Sequence, residues 1–271
     1  MMHWLLEPLG YQFIRTALLA SVLIGMTCSV LGVFVVLKRM SNVGHALTHS
    51  ALPGLVAAYL AGINLFVGAL SAVILTALGI GLISENDEVY EDTAIGIVPM
   101  AMFSLGILMM SQARSFRDLS SMLFGNILGV GPSEMLLIAV ITVIVLGVLA
   151  LFYKEIELFC VDPNYARTIG VPIANVRFGL LLLLALTVVA GIQAVGTVLT
   201  SALLVAPAAS ARLLTNRLRE MVLISLSIAV SAGFCGIYLS YYLGLSSGAA
   251  IVFVCSVVFI ICWLVKWMRR S

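Results

Sequence analysis

Uninterrupted apolar runs of about 20 residues recur along the whole chain and constrain its fold more than any other feature. Wound as an α-helix, each run covers the roughly 30 Å hydrocarbon thickness of a bilayer. A backbone that faces lipid must satisfy its own hydrogen bonds, which restricts a spanning chain to helices or a closed barrel. Because the runs are continuous rather than alternating, they predict helices.

Composition excludes an ordinary soluble fold. Hydrophobic residues make up 62% of the 271 residues and charged residues only 10%, whereas soluble domains carry about 25% charged residues. A soluble fold could not keep so much apolar surface away from water, and no basic patch suggests a nucleic-acid partner. We therefore predict an all-α membrane protein, a polytopic helical bundle that forms a single transmembrane domain over residues 1–271.

About nine transmembrane helices fit the apolar runs. The first run lacks a clear small-residue cleavage site, so we interpret it as a retained span rather than a signal peptide. The predicted spans cover residues 13–37, 46–62, 65–83, 94–112, 134–153, 178–192, 195–211, 221–243 and 248–265.

The positions of Lys and Arg predict the orientation, because cytoplasmic connections carry an excess of both. Only Arg15, Arg114 and Arg117 fall on one side of the nine-span scheme. We therefore expect the N-terminus outside and the C-terminus inside. The other side, taken as cytoplasmic, holds eleven basic residues: Lys38, Arg39, Lys154, Arg167, Arg177, Arg212, Arg217, Arg219, Lys266, Arg269 and Arg270.

Residues 154–177 form the longest polar segment and fall on the predicted cytoplasmic side. Within it, Asp162 is placed to cap a helix whose first turn contains Pro163, and Gly170 is placed to end it. The sequence therefore predicts a short helix between two spans, where a partner subunit could dock. A plain surface loop is the alternative.

Two further connections have a distinctive composition. Residues 84–93 are acidic and cytoplasmic in this scheme, either a solvated turn or a contact with a partner subunit. Residues 118–133 are apolar and rich in glycine but too short to span. We interpret them as a re-entrant or interfacial segment on the outer side.

Two histidines are the candidate metal ligands. Ionisable residues inside spans are costly and usually functional, and all twelve Asp and Glu residues can be placed in loops or at span ends. What remains is His45 and His49 at the start of the second span. Four residues apart, they share one helix face about 5–6 Å apart, so both imidazoles can ligate one transition metal. Two histidines hydrogen-bonded in a helix interface are the alternative.

The residues after the histidines predict a break in the helix. Pro53 has no N–H, so the carbonyl of His49 loses its helical partner, and Gly54 adds flexibility. Broken helices at membrane depth occur where they line a cavity or are packed in protein. Thr48 and Ser50 offer oxygen ligands nearby.

An ordered series of motifs runs along nearly the whole chain: Val36–Ser41, Gly44–Gly54, Asp92–Gly96, Leu123–Asn126, Asp162–Gly170 and Ser201–Arg212. With this series the sequence resembles the integral-membrane permeases of manganese, zinc and iron ABC importers, which work with a metal-binding solute receptor.

The resemblance implies a bacterial importer of the cytoplasmic (inner) membrane. Such a complex has a permease dimer around a central pathway, two cytoplasmic ATPases and an extracytoplasmic receptor. A divalent metal would be its cargo, with no permanently bound cofactor. The resemblance also implies that the 154–177 loop couples to the ATPase through its short helix, with Asp162, Pro163, Ala166, Arg167 and Gly170.

One position departs from the family pattern. Typical members have Asp where His45 stands and His where His49 stands. A carboxylate suits manganese, while a second imidazole suits zinc, iron or later metals, so the sequence leaves the metal open. The departure also allows pairing with a second, related permease that carries the carboxylate, instead of a homodimer.

Other functions fit the sequence less well. A permease for a chelate such as a siderophore or cobalamin would leave the histidine pair unexplained. An intramembrane metalloenzyme would want a third ligand and an acid or base, and a secondary transporter would want buried carboxylates. The chain has no Gly-x-x-x-x-Gly-Lys-Ser/Thr motif, so a separate partner subunit is expected to hydrolyse ATP and the chain itself is not an enzyme.

The predicted orientation can be tested by cysteine labelling. In a variant without the five native cysteines, we expect Asn164→Cys to react with a membrane-impermeant maleimide in inside-out vesicles and not in spheroplasts. Ser246→Cys, between the last two predicted spans, should show the reverse pattern. Labelling of residue 164 from the outside alone would refute the orientation.

Overall fold

The computed structural model describes residues 7–84, 90–112 and 127–269. Within these ranges the regular structure is helical, with 3₁₀ turns at Pro8–Gly10 and Ile127–Gly129. The first five α-helices are α1 (Gln12–Leu37), α2 (Ser41–Ser50), α3 (Leu52–Ala61), α4 (Leu65–Ile83) and α5 (Glu91–Gln112). The later helices are α6 (Pro132–Leu151), α7 (Tyr153–Val161), α8 (Pro163–Thr168), α9 (Ile173–Val195), α10 (Thr197–Leu214), α11 (Leu218–Leu243) and α12 (Ser247–Met268).

The all-helical class and the multi-pass character are confirmed. Among the described residues, eight helices are long and apolar enough to cross a membrane: α1, α4, α5, α6, α9, α10, α11 and α12. The predicted span 46–62 is divided between α2 and α3. Ala51 between them keeps helical angles, φ −68° and ψ −22°. At about 1.5 Å per residue, the interrupted helix from Ser41 to Ala61 reaches about 30 Å. The ninth crossing and the orientation of the chain stay predictions.

Two predicted segments differ or lie outside the described residues. Residues 154–177 contain not only the short helix α8 but also α7, and α9 begins earlier than the predicted span, at Ile173. Asp162 caps α8 by accepting hydrogen bonds from the backbone N–H groups of Asn164 and Tyr165, at 3.1 and 3.0 Å. Residues 85–89 of the acidic connection, residues 118–126 of the predicted re-entrant segment, Arg114, Arg117 and Arg270 lie outside the described residues.

The helices pack in two groups. In one group α10 and α11 contact each other and both contact α1 and α12, and in the other α3, α4 and α5 contact one another, with α2 against α5. Helix α9 contacts α4 and α10, and α2 contacts α10, which joins the groups. Large apolar side chains such as Leu75, Leu136 and Phe253 point outward, 62–68% exposed, as expected for a surface covered by lipid.

Glycines set the closest helix contact near α2. A Cβ atom on Gly54 of α3 would collide with the Gly68 carbonyl oxygen of α4 and lie 2.7 Å from the Ala72 Cβ. A Cβ on Gly68 would meet Gly54 and lie 2.5 Å from the Ala58 Cβ. Small residues allow this backbone approach between membrane helices, so Gly54 is a packing residue in addition to following the break.

Helix α7 is fastened to α1 at one end of the bundle. The Lys38 ammonium lies 3.9 Å from the centre of the Phe159 ring, a cation–π contact. The Phe34 and Tyr153 rings meet edge to face at 6.3 Å. At the same end, the Arg177 guanidinium donates to the Ser84 carbonyl at 3.0 Å and joins the end of α4 to α9. Residues predicted to be cytoplasmic therefore gather at one end of the bundle.

The glycine contact predicts a stability effect. Gly54→Ala forces α3 and α4 apart, and we expect it to cost about 1–3 kcal/mol and to lower the midpoint of thermal unfolding in detergent. The control is Gly147→Ala on α6, where an added Cβ meets nothing within 4 Å. An unchanged midpoint for Gly54→Ala, with transport impaired, would instead favour the flexible role predicted from sequence.

Candidate functional site

His45 and His49 project from the same face of α2, one turn apart. Their Nε2 atoms lie 3.2 Å from each other, and the rings meet edge to face with centroids 4.6 Å apart. Phe103 of α5 makes a further edge contact with the His49 ring at 5.2 Å. His45 is exposed and His49 half-buried. The structure therefore brings the two predicted ligands together with the same ring nitrogen facing a common point.

The spacing of the two nitrogens suits a shared metal ion. Metal–imidazole bonds are about 2.0–2.1 Å for zinc, and two nitrogens on a tetrahedral ion are then about 3.3 Å apart. The observed 3.2 Å is close to that separation. The same distance also allows one Nε2–H to donate to the other, bare Nε2, which would hold the rings in place before a metal arrives.

The helix interruption lies just below the pair. Helix α2 ends at Ser50 and α3 begins at Leu52, with Pro53 in its first turn. Helix α5 passes close by, since a Cβ on Gly106 would lie 2.8 Å from the Pro53 nitrogen.

Thr48 and Ser50 do not join the site as predicted. Both are fully buried. The Thr48 hydroxyl donates to the His45 carbonyl at 2.6 Å and the Ser50 hydroxyl to the Leu47 carbonyl at 2.9 Å. Their oxygens satisfy the helix backbone instead of facing the histidines, as is common for hydroxyl side chains inside helices.

A cavity of about 290 Å³ lies between α2 and α5, and both histidines line it. Sequence reasoning missed one charged residue of this cavity. Asp92, assigned to a connection because it precedes the fourth span, sits in the first turn of α5 and also lines the cavity. Its place in the motif Asp92–Gly96 was the available signal. The lining is Asn42, His45, Ala46, His49, Asp92, Ile95, Gly96, Pro99 and Met100.

The cavity does not contain a complete protein-only metal site. Within the described ranges, no group of three or more His, Cys, Asp or Glu side chains lies close enough to hold one ion. The chain thus offers two nitrogen ligands at one point, with a carboxylate elsewhere in the same cavity. Such an open arrangement does not match a structural metal site, in which protein ligands fill every position.

A larger cavity, of about 740 Å³, opens near the junction of α6 and α7 and is lined in part by Tyr153, Lys154, Glu155 and Arg219. Neither of the described histidines lines it. This cavity lacks the ligand chemistry of the one between α2 and α5.

The predicted coupling residues have unequal exposure. Asp162, Arg167 and Gly170 are exposed, and Pro163 is half-buried. Gly170 has a φ of +86°, a conformation that favours glycine. Ala166, in contrast, is completely buried in the chain's own interior, so it is a packing residue in this structure rather than part of an outer surface.

Known proteins of similar sequence identify the class. The family model described as "ABC 3 transport family" matches residues 10–266. The manganese transport system membrane protein MntC of Listeria monocytogenes is 41% identical over 254 residues, 94% of this chain and 91% of that protein. A probable iron transport system membrane protein of Haemophilus influenzae is 39% identical over 96% of both chains.

A solved structure has the same fold. A chain in the structure of PsaBC from Streptococcus pneumoniae in complex with Fab superposes with a TM-score of 0.84 at 31% sequence identity, over 97% of this chain and 95% of that one. Fold and sequence together define a membrane-embedded transport protein. The chain belongs to the ABC 3 transport family.

Proposed function

We propose that this chain is the permease subunit of an ABC importer that carries a divalent transition metal into the bacterial cytoplasm. The observation that carries the proposal is the His45–His49 pair, with Nε2 atoms 3.2 Å apart on the wall of a cavity between α2 and α5. The relatives named for manganese and iron transport support the same cargo class. The identity of the metal stays open among manganese, iron and zinc, and two imidazole ligands favour the later metals.

The chain would work within a larger complex. ATP hydrolysis falls to separate cytoplasmic ATPase subunits, because the sequence has no phosphate-binding Gly-x-x-x-x-Gly-Lys-Ser/Thr motif. An extracytoplasmic receptor would deliver the metal. A second permease, either another copy or a related chain, would complete the pathway and supply the ligands that one chain lacks.

Helix α8 is our candidate for the ATPase contact. Its fully capped N-terminus and the turn at Gly170 fix a short, exposed element between two long helices. Tyr165 and Ile169 are 55% and 51% exposed, so their apolar surface is open to a partner that docks on this helix. In this proposal the contact is made by Tyr165, Arg167 and Ile169, while Ala166 anchors the helix from behind.

The cavity favours a bare ion over the alternatives. About 290 Å³ lies at the small end of organic-ligand pockets, which run from about 300 to 1,000 Å³, and two imidazoles face it. A metalloenzyme would need a third ligand, and none joins the histidines among the described residues.

Removing one imidazole tests the proposal. We expect His49→Ala to reduce uptake of Mn²⁺ and Zn²⁺ into liposomes containing the assembled transporter by at least tenfold, because the dehydrated ion loses one of few ligands. Expression and complex assembly should be unchanged. The control is Ser231→Ala, which removes an exposed hydroxyl on α11. Wild-type uptake in His49→Ala would mean that the pair is structural.

Changing the first imidazole to the family's usual carboxylate tests metal preference. His45→Asp exchanges a borderline nitrogen for a hard oxygen, so we expect uptake to survive and the ratio of Mn²⁺ to Zn²⁺ uptake to rise. His45→Asn, matched in size but uncharged, should lose uptake of both metals. An unchanged ratio in His45→Asp would show that residue 45 does not select the metal.

A further inference from the structure

The residues that line the cavity between α2 and α5 differ from one end to the other. Helices α2 and α5 run the same way, because the early residues Asn42 and Asp92 line the cavity together while His49 contacts Phe103, further along α5. Asn42 and Asp92 lie in two of the connections predicted to be cytoplasmic, residues 38–45 and 84–93. Each turn of helix rises about 5.4 Å. Asn42 and Asp92 therefore lie at the end of the cavity nearest these connections, with His45 and then His49 further along.

The ligand chemistry changes along the cavity, from the two histidines to the end lined by Asn42 and Asp92. Two neutral imidazoles bind a divalent cation through nitrogen but do not neutralise its charge. Among the residues that the structure describes, Asp92 is the one carboxylate lining this cavity, and it is exposed. A carboxylate beside a cation in a partly dehydrated space offsets charge strongly, and its oxygen is also the harder ligand.

The separation of Asp92 from the two histidines limits the role that it can have. It does not form a three-group metal site with the histidines in the described part of the chain, so it is not a third ligand of an ion held between both Nε2 atoms. We propose that Asp92 is the exit ligand, which takes the metal from the His45–His49 pair and releases it toward the cytoplasm. This inference rests on the proposed function and orientation, and it adds a residue and a sequence of steps to them.

The test separates release from binding in the assembled transporter, with receptor and ATPase subunits. Two quantities are measured: uptake of Mn²⁺ and Zn²⁺ into liposomes, and Zn²⁺ retained by the purified complex after desalting. We expect Asp92→Asn to lower uptake at least tenfold while retained Zn²⁺ stays at the wild-type amount, since the histidines are untouched. Asp92→Glu should keep at least half of wild-type uptake.

A matched control removes another carboxylate at the same end of the bundle. Glu220 is exposed and pairs with Arg217 at 3.2 Å, outside the cavity. Glu220→Gln should leave both quantities unchanged, because an exposed pair contributes little.

Each result has a definite meaning. Wild-type uptake in Asp92→Asn, or uptake in Asp92→Glu as low as in Asp92→Asn, overturns the exit role and leaves the proposed function standing. Loss of retained Zn²⁺ in Asp92→Asn also overturns it, since Asp92 would then belong to the binding step. Failure of the proposed function is recognised separately, by wild-type uptake and wild-type retained Zn²⁺ in His49→Ala.

Discussion

Helices in a bilayer gain little from burying apolar side chains against one another, because lipid is equally apolar. Close backbone contact must hold them together instead, and in this chain glycine provides it. Gly54 meets Gly68 between α3 and α4, Gly32 of α1 meets the backbone of α10, and Gly106 of α5 meets Pro53. The contacts of Gly54 and Pro53 fix α3 between α4 and α5, so the histidines on the adjoining α2 hold a set position opposite α5.

Much of the fold follows from the sequence because lipid leaves few choices. Eight predicted spans begin and end within a few residues of the observed helices. The sequence does not predict helix α7, because Lys154, Glu155 and Glu157 give this stretch the composition of a polar connection. Ile156 and Phe159 form its buried apolar face, and that face can be recognised as a packing surface only once α1 is known to lie beside it.

The histidine pair could be found from sequence because its spacing of four lies within one helix. Asp92 could not be found in the same way, because its relation to His45 depends on how α2 packs against α5. Ala166 shows the converse case. A small residue in an exposed helix suggests a contact with another protein, yet its burial here depends on its own chain. Local periodicity therefore predicts elements and pairs within them, while shared cavities require the packed structure.

The fastening of α7 to α1 has a mechanical consequence. Phe34 and Lys38 at the end of α1 hold the two ends of α7, through Tyr153 and Phe159. Helix α1 in turn packs along α10 and α11. Helix α8 follows α7 directly. A sideways displacement of α8 is therefore transmitted through α7 to α1, and from α1 to α10 and α11, because no flexible loop separates them. Helices α7 and α8 are thus coupled mechanically to the interior of the bundle.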